Sequence, residues 1–283
     1  MNKIIEKRAI AEAIHRFVIE GPQIARKRRA GNFVIVRANE TAERVPLTIV
    51  DADIERGTIT LIVQGVGKTT RMLNTMHAGE ALADVIGPLG QATPIERLGT
   101  VVCIGGGVGT AEVLPIARAL KAAGNHVISI IGARSRDLLI LEAEMRAASD
   151  EIVIVTDDGS YGRRGLVIDP LKEMLEQGRE LNAVYAIGPL VMMRAAAKTT
   201  ESYKVKTYVS LNPVMIDGTG MCGGCRVTVA GQTRFACVDG PEFDGHQVDF
   251  DNLIMRNCAY QEQERAALER YEAALVAAAE GLV

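Results

Sequence analysis

Along the first third of the chain, apolar residues come in short runs broken by turn residues. Phe33-Val34-Ile35-Val36-Arg37, Leu47-Thr48-Ile49-Val50 and Thr58-Ile59-Thr60-Leu61-Ile62-Val63 are separated by Gly, Asn and charged positions. That spacing predicts the strands of a small antiparallel barrel, closed by the turn residues of Asp84–Gly90. From Gly99 the texture changes. Val101–Ile104 is a short, wholly apolar strand, a glycine run follows it, and Ala111–Ala123 has helical spacing. Strands at 127–131, 152–156 and 183–187 then alternate with helices at 136–148 and 167–177. Apolar strands alternating with helices predict a parallel sheet covered on both faces. After Val209 neither pattern continues, and 211–258 is rich in turn residues. Gln261–Leu282 returns to helical spacing with Leu268, Tyr271, Leu275, Ala278 and Leu282, which suits a helix lying on its own chain or a subunit contact. The expected organisation is a β-barrel over 1–97, an α/β domain over 98–210, a turn-rich segment over 211–260 and a helix over 261–283.

Composition narrows the possibilities. Hydrophobic residues make up 48% of the 283 positions and charged ones 24%, enough apolar surface for folded cores. The 32 Lys and Arg against 35 Asp and Glu give a net charge of -3, which lacks the basic field that nucleic acid or an anionic membrane requires. Trp is absent and aromatics reach only 4%, so a base-stacking surface is not expected. No apolar run is long enough to span a bilayer, and the charged start MNKIIEKRAIAEAIHRF does not resemble a secretory signal. The expectation is a cytoplasmic protein with neither nucleic acid nor membrane among its partners.

The five cysteines, at 103, 222, 225, 237 and 258, carry the strongest chemical signal. Asp217-Gly-Thr-Gly-Met-Cys222-Gly-Gly-Cys225 is followed by Cys237, a spacing of Asp-x4-Cys-x2-Cys-x11-Cys. Plant-type [2Fe–2S] proteins use Cys-x4-Cys-x2-Cys with a distant fourth Cys. Asp217 here takes the first position, and a carboxylate is a harder but still anionic donor to iron. A zinc knuckle on the three thiolates, or three free thiols, is the alternative. Cys103 sits in an apolar strand and reads as core, and Cys258 has no partner at ligand spacing.

Two loops read as nucleotide sites. Gly105-Gly106-Gly107-Val108-Gly109-Thr110 lies between a strand and a helix, where a diphosphate can meet the helix N-terminus. The full G-x-G-x-x-G pattern is not met, because Thr110 takes the last place. The next strand runs into Arg134 and Arg136 rather than an acidic residue, leaving NAD and NADP both open. Gly65-Val66-Gly67-Lys68-Thr69-Thr70 looks like a phosphate loop, but Ile62 stands where the first glycine is needed. The Lys-Thr pair is also expected to lie within the β region rather than to open an α/β unit. Its convergent amides and hydroxyls can still hold a diphosphate.

A barrel, a GGGVGT nucleotide loop and a cysteine loop in this order resemble the ferredoxin–NADP reductase superfamily, across essentially the whole chain. More narrowly, the chain resembles electron-transfer subunits with a C-terminal [2Fe–2S] loop. These are the subunits of dihydroorotate dehydrogenase B and of NADH-dependent reduced ferredoxin:NADP oxidoreductase. The resemblance implies an FAD-binding barrel, an NAD(P)-binding domain and a [2Fe–2S] cluster held by Asp217, Cys222, Cys225 and Cys237. It matches Arg44, Pro46, Leu47 and Thr48 to the superfamily's R-x-Y-S stretch, with Leu47 in the aromatic's place and Arg44 one residue early. Thr48 is thereby the expected catalytic contact, its hydroxyl directed to flavin N5. Ile62, Val63 and Gln64, then Gly67, Lys68, Thr69 and Thr70, match the segment that meets the flavin ring and its diphosphate. Gly106, Gly107, Val108, Gly109, Thr110, Arg134, Asp158, Gly188 and Pro189 match the dinucleotide segments. Dihydroorotate relatives usually carry Cys where Ile187 stands, and that departure, with Asp217, favours the ferredoxin:NADP relative. The resemblance further implies a heterodimer with a larger flavin and iron–sulfur subunit, ferredoxin reached through that subunit, and electron bifurcation; a redox-sensing or assembly subunit that binds the cofactors without turnover is the alternative of another class.

Overall fold

The computed structural model describes residues 2–279. Its first part opens on a hairpin, Ile4–Ala11 (β1) and Ile14–Glu20 (β2), followed by a short helix, Pro22–Lys27 (α1). Phe33–Arg37 (β3), Val45–Thr48 (β4), Asp51–Asp53 (β5) and Thr58–Gln64 (β6) come next. Lys68–Thr75 (α2) and Asp84–Leu89 (β7) complete it. The strands form two antiparallel sheets, ordered β1-β2-β6-β5 and β4-β3-β7. Both close over one apolar core that includes Ile4, Phe17, Val34, Val36, Ile59 and Leu61. The hairpin is missing from the hydrophobic pattern because β1 exposes Glu6 and Arg8 on its outer side. A strand solvated on one face shows only half its residues as apolar.

The second part is a seven-stranded sheet. Thr100–Gly106 (β8) leads into the helix Gly109–Ala122 (α3), then His126–Ala133 (β9). Glu142–Ala147 (α4), Glu151–Thr156 (β10), Arg163–Arg164 (β11) and Asp169–Glu176 (α5) continue the alternation. Ala183–Ile187 (β12), Leu190–Glu201 (α6) and Lys206–Ser210 (β13) end it. The parallel strands run β11-β10-β9-β8-β12-β13, and β8, β9 and β12 are buried on both faces. Val113, Leu114 and Ala117 of α3 cover one side, and Leu171, Met193 and Ala196 of α5 and α6 the other. The helix expected over 136–148 is broken: a single tight turn, Arg136–Leu138, precedes α4, and Leu141 between them is left-handed at φ 57°.

The C-terminal part is a hairpin of Arg226–Val229 (β14) and Gln232–Phe235 (β15), then Ala236–Asp239 (α7) and Glu242–Asp244 (β16). Phe250–Asn257 (α8) and Gln261–Ala279 (α9) follow. β16 pairs antiparallel with β13, so the turn-rich C-terminal segment supplies the seventh strand and the sheet is not purely parallel. Helix α9 reaches back to α2, where Glu272 meets Arg71 at 2.7 Å. It lies on its own chain over that stretch, and Leu282 falls outside the described residues.

The connection between barrel and sheet is clasped by this last part. Gln91 donates to the carbonyls of Gly240 and Val238, and the Thr93 hydroxyl donates to Glu242 at 2.7 Å. The other Glu242 oxygen is buried without a partner, and burial pushes the carboxyl up to about 7. A raised carboxyl pKa means that the folded state binds the extra proton between about pH 4.5 and 7, so stability falls as pH rises through that window. Glu242→Gln should therefore match the wild type in thermal midpoint near pH 5. By pH 8 it should be more stable, by at most about 3 kcal/mol. Parallel midpoints across that range would contradict the protonated clasp.

Candidate functional site

A cavity of about 280 Å³ opens where the barrel meets the parallel sheet, close to the size range of small-ligand pockets. The barrel contributes Pro46, Leu47 and Thr48 from β4, Ile62 and Gln64 from β6, and Thr70 from α2. Val108, Ala111 and Glu112 enter from the start of α3, with Ser210 at the end of β13 and Asn212 just beyond it. The two halves are tied beside it by Asp51, which meets Arg28 at 3.3 Å and Arg118 of α3 at 3.0 Å. Several sequence-matched residues thus reach one space: Pro46, Leu47, Thr48, Ile62, Gln64, Thr70 and Val108.

Others lie elsewhere. Val63 alternates inward and is buried in the barrel core. Arg44 is drawn to Asp84 at 3.5 Å, alongside Arg37 at 2.7 Å, and does not line the cavity. Gly67, Lys68 and Thr69 do not line the cavity and open helix α2, between strands β6 and β7. Thr70 explains the helix: its hydroxyl oxygen receives the amides of Val66 and Gly67, both at 3.0 Å, and caps the first turn. Thr69 is buried beside it with its hydroxyl unpartnered, an orphan that an arriving acceptor would satisfy.

At the second loop, β8 ends at Gly106 and α3 begins at Gly109. Gly107 is left-handed at φ 58°. Gly109 lies so close to the next strand's end that a Cβ there would stand 2.2 Å from the Ile187 carbonyl oxygen. The Gly188-Pro189 turn faces this loop, since a Cβ on Gly106 would meet Pro189 and Met192. Thr110 closes the turn through its hydroxyl on the Gly105 carbonyl at 3.3 Å. Arg134 is exposed, Arg136 lies over the Tyr161 ring at 5.3 Å, and Asp158 accepts from Ser160 at 2.7 Å.

In the cysteine loop, the Cys225 and Cys237 thiols are buried in the core beneath the parallel sheet, their sulfurs 3.2 Å apart. That is far beyond a disulfide bond, and each is a free thiol. Cys222 is exposed and its sulfur faces the Gly224 amide at 3.5 Å. Asp217 turns back on its own loop and accepts from the amides of Thr219 at 3.0 Å and Cys222 at 2.8 Å. The Thr219 amide is the chief reason its carboxyl drops to about 2. Among the described residues these side chains do not stand as a closed metal site. The donor chemistry nonetheless fits an iron–sulfur cluster: two buried thiols in contact with each other, a third taking an amide, and an anionic carboxylate linked to that third cysteine. The loop's outer surface is apolar, with Ile216 and Met221 exposed. Cys103 is core, where burial pushes its thiol up to about 12, and Cys258 is exposed at the end of α8.

Glu112, Ser210 and Asn212 were not singled out from the sequence. An acid within the apolar face of a helix was the one visible signal for Glu112; the other two depend on tertiary placement.

Comparison with known proteins places these features. Residues 212–249 match the iron–sulfur cluster binding domain of dihydroorotate dehydrogenase B. The chain is 45% identical, over 96% of its length and 95% of the relative's, to a dihydroorotate dehydrogenase B (NAD(+)) electron transfer subunit homolog of Thermotoga maritima. It is 33% identical to the dihydroorotate dehydrogenase B electron transfer subunit of Geobacillus thermodenitrificans, over 87% of this chain and 96% of that one. Among solved structures, a chain of the NADH-dependent reduced ferredoxin–NADP oxidoreductase matches with a TM-score of 0.91 and 42% identity. That match covers 96% of this chain and 98% of the other. Phthalate dioxygenase reductase shares the fold at a TM-score of 0.57 and 16% identity, covering 81% and 85%.

Proposed function

This chain belongs to the family of dihydroorotate dehydrogenase B electron-transfer subunits and their homologues, and from that membership we propose that it moves electrons between NAD(P)H and a larger partner subunit. The cofactors of this reading are FAD in the cavity, NAD(P) at the α3 loop and a [2Fe–2S] cluster in the cysteine loop. Residues 1–97 would serve the flavin, 98–210 the nucleotide and 211–260 the cluster. A bound flavin supplies the exchange between a two-electron hydride and the one-electron steps of a cluster.

The residues here bind and position. Leu47 and Ile62 offer an apolar wall for a ring, and Thr48 and Gln64 give it polar contacts in the same cavity. The opening turn of α2, with the unpartnered Thr69 hydroxyl, presents donors suited to a diphosphate. Gly107, Val108 and Gly109 would present the α3 N-terminus to the diphosphate of the second nucleotide, beside the Gly188-Pro189 turn that faces the same loop. Asp217, Cys222, Cys225 and Cys237 hold the cluster. The exposed apolar surface of Ile216 and Met221 supports a partner docked over this loop. Ferredoxin reached through that partner, bifurcation and a cytoplasmic setting belong to the same proposal. Among the described residues no helix is long and apolar enough to cross a membrane.

The single observation that carries the reading is the shared cavity of Thr48, Ile62 and Gln64 with the start of α3, within one molecule that also buries paired thiols. A dihydroorotate dehydrogenase partner is the second reading, favoured by the match over 212–249; the chain that copurifies decides between them. The test of both is anaerobic mixing of the purified protein with NADH or NADPH. Flavin absorbance should bleach with one of them and a reduced-cluster EPR signal should follow. No bleaching with either nucleotide would sink the catalytic reading.

A further inference from the structure

Among the described residues Glu112 is the one ionisable side chain lining the cavity; its companions there are apolar residues or neutral amides and hydroxyls. It sits in the first turn of α3 among Ala111, Val113 and Leu114, all buried. A carboxylate at a helix N-terminus is ordinarily stabilised in its charged form. Here burial outweighs that and holds the carboxyl up at about 7, with neither a hydrogen bond nor a charged neighbour offsetting it. From the facing elements come Thr48, Gln64, Thr70, Ser210 and Asn212, none of which titrates near neutrality. The basic residues further along α3, Arg118 and Lys121, are engaged by Asp51 and Asp150. Glu112 also keeps partial contact with solvent, which gives a proton a way out.

On the reading of this cavity as a flavin site, we propose that the Glu112 carboxylate takes up the proton left behind when a hydride's two electrons leave the cavity one at a time. The balance requires such a base. NAD(P)H delivers one proton with two electrons and becomes NAD(P)+. Two one-electron carriers of the iron–sulfur class each accept one electron, and one proton remains. Glu112 binds it as a carboxylic acid and passes it to water, regenerating the carboxylate. In the reverse direction the same group returns the proton. A base poised near the working pH is the efficient choice for this exchange.

The test uses the flavin- and cluster-loaded wild type with Glu112→Gln and Glu112→Asp. Anaerobic single turnovers with NADH or NADPH, whichever bleaches the flavin, are followed by flavin absorbance, cluster signal and a proton-indicating dye. In Glu112→Gln, cluster reduction should slow relative to flavin bleaching by about ten- to a hundredfold, and proton release should lose its midpoint near neutrality. Glu112→Asp should recover part of both. Independently of turnover, the infrared difference between oxidised and reduced wild type at neutral pH should contain a carboxylic C=O band that Glu112→Gln lacks. A wild-type spectrum without that band overturns the proposal even if the Gln variant fails to fold, as does unchanged proton release in Glu112→Gln. A wild type that binds no flavin removes the underlying reading, and the proposal with it.

Discussion

Replacing Cys225 with alanine should leave a folded protein without iron. Cys225 is 1% exposed and its sulfur stands 3.2 Å from that of Cys237. Removing one sulfur from this core leaves a small void, costing on the order of 1 kcal/mol, which the surrounding sheet core can absorb. The effect on metal is far larger. Even outer-shell partners are worth 10–100-fold in affinity, so losing a direct thiolate should cost at least about a hundredfold. After anaerobic reconstitution, iron analysis and EPR should show the cluster lost in Cys225→Ala. They should show it kept in Cys258→Ala, whose sulfur is exposed at the end of α8. Asp217→Cys should retain iron with a shifted potential, because cluster potentials respond to ligand type. Iron content equal to wild type in Cys225→Ala would remove this thiol from the ligand set.

A second large effect is expected at the α3 loop, where two neighbouring glycines should respond very differently to the same methyl group. At Gly109 a Cβ would meet the Ile187 carbonyl oxygen at 2.2 Å, its carbon at 2.6 Å and Gly188 Cα at 2.8 Å. All three are backbone atoms, so relief requires moving the helix start away from β12. Gly109→Ala should lose about 3 kcal/mol or more, and on the proposed reading nucleotide affinity should fall with it, since the displaced amides are those that would meet the diphosphate. At Gly107 nothing lies within 4 Å, and only the left-handed φ of 58° resists substitution. Gly107→Ala should cost about 1–2 kcal/mol. Thermal unfolding and NADH titration of the two variants compare them directly. Equal stabilities would mean that the close packing of α3 on β12 is not what the glycine provides.

What could be read from the residues depended on how completely an element is buried. β8, β9, β10 and β12 announced themselves as apolar runs because they sit inside the sheet or beside its centre. The β1–β2 hairpin, half in solvent, looked merely charged. Helix α2 was hidden because its N-terminal turn is Lys-Thr-Thr, which carries no apolar stripe and starts only three residues after a strand. β16 has three residues, Glu-Phe-Asp, and becomes a strand only through pairing with β13, more than thirty positions earlier. The site divides in the same way. Thr48, Ile62, Gln64 and the GGGVGT loop were marked by local motif and resemblance. Arg44 was diverted by Asp84, an ion pair that no spacing rule anticipates. Glu112 became notable only once three separate segments enclosed it.

The clasp formed by Gln91, Thr93 and β16 bears on how such a protein can be re-engineered. An exchange of redox modules with a cousin would tempt the designer to splice at residue 210, where the α/β alternation ends. That seam would strip β13 of its last neighbour and unfasten the interdomain hinge. A graft joined after Asp244, with the edge strand left native, cannot carry Asp217, Cys222, Cys225 and Cys237. Working hybrids must therefore transplant β13 and the Gln91–Thr93 stretch together with the cysteine loop, as one inseparable cassette.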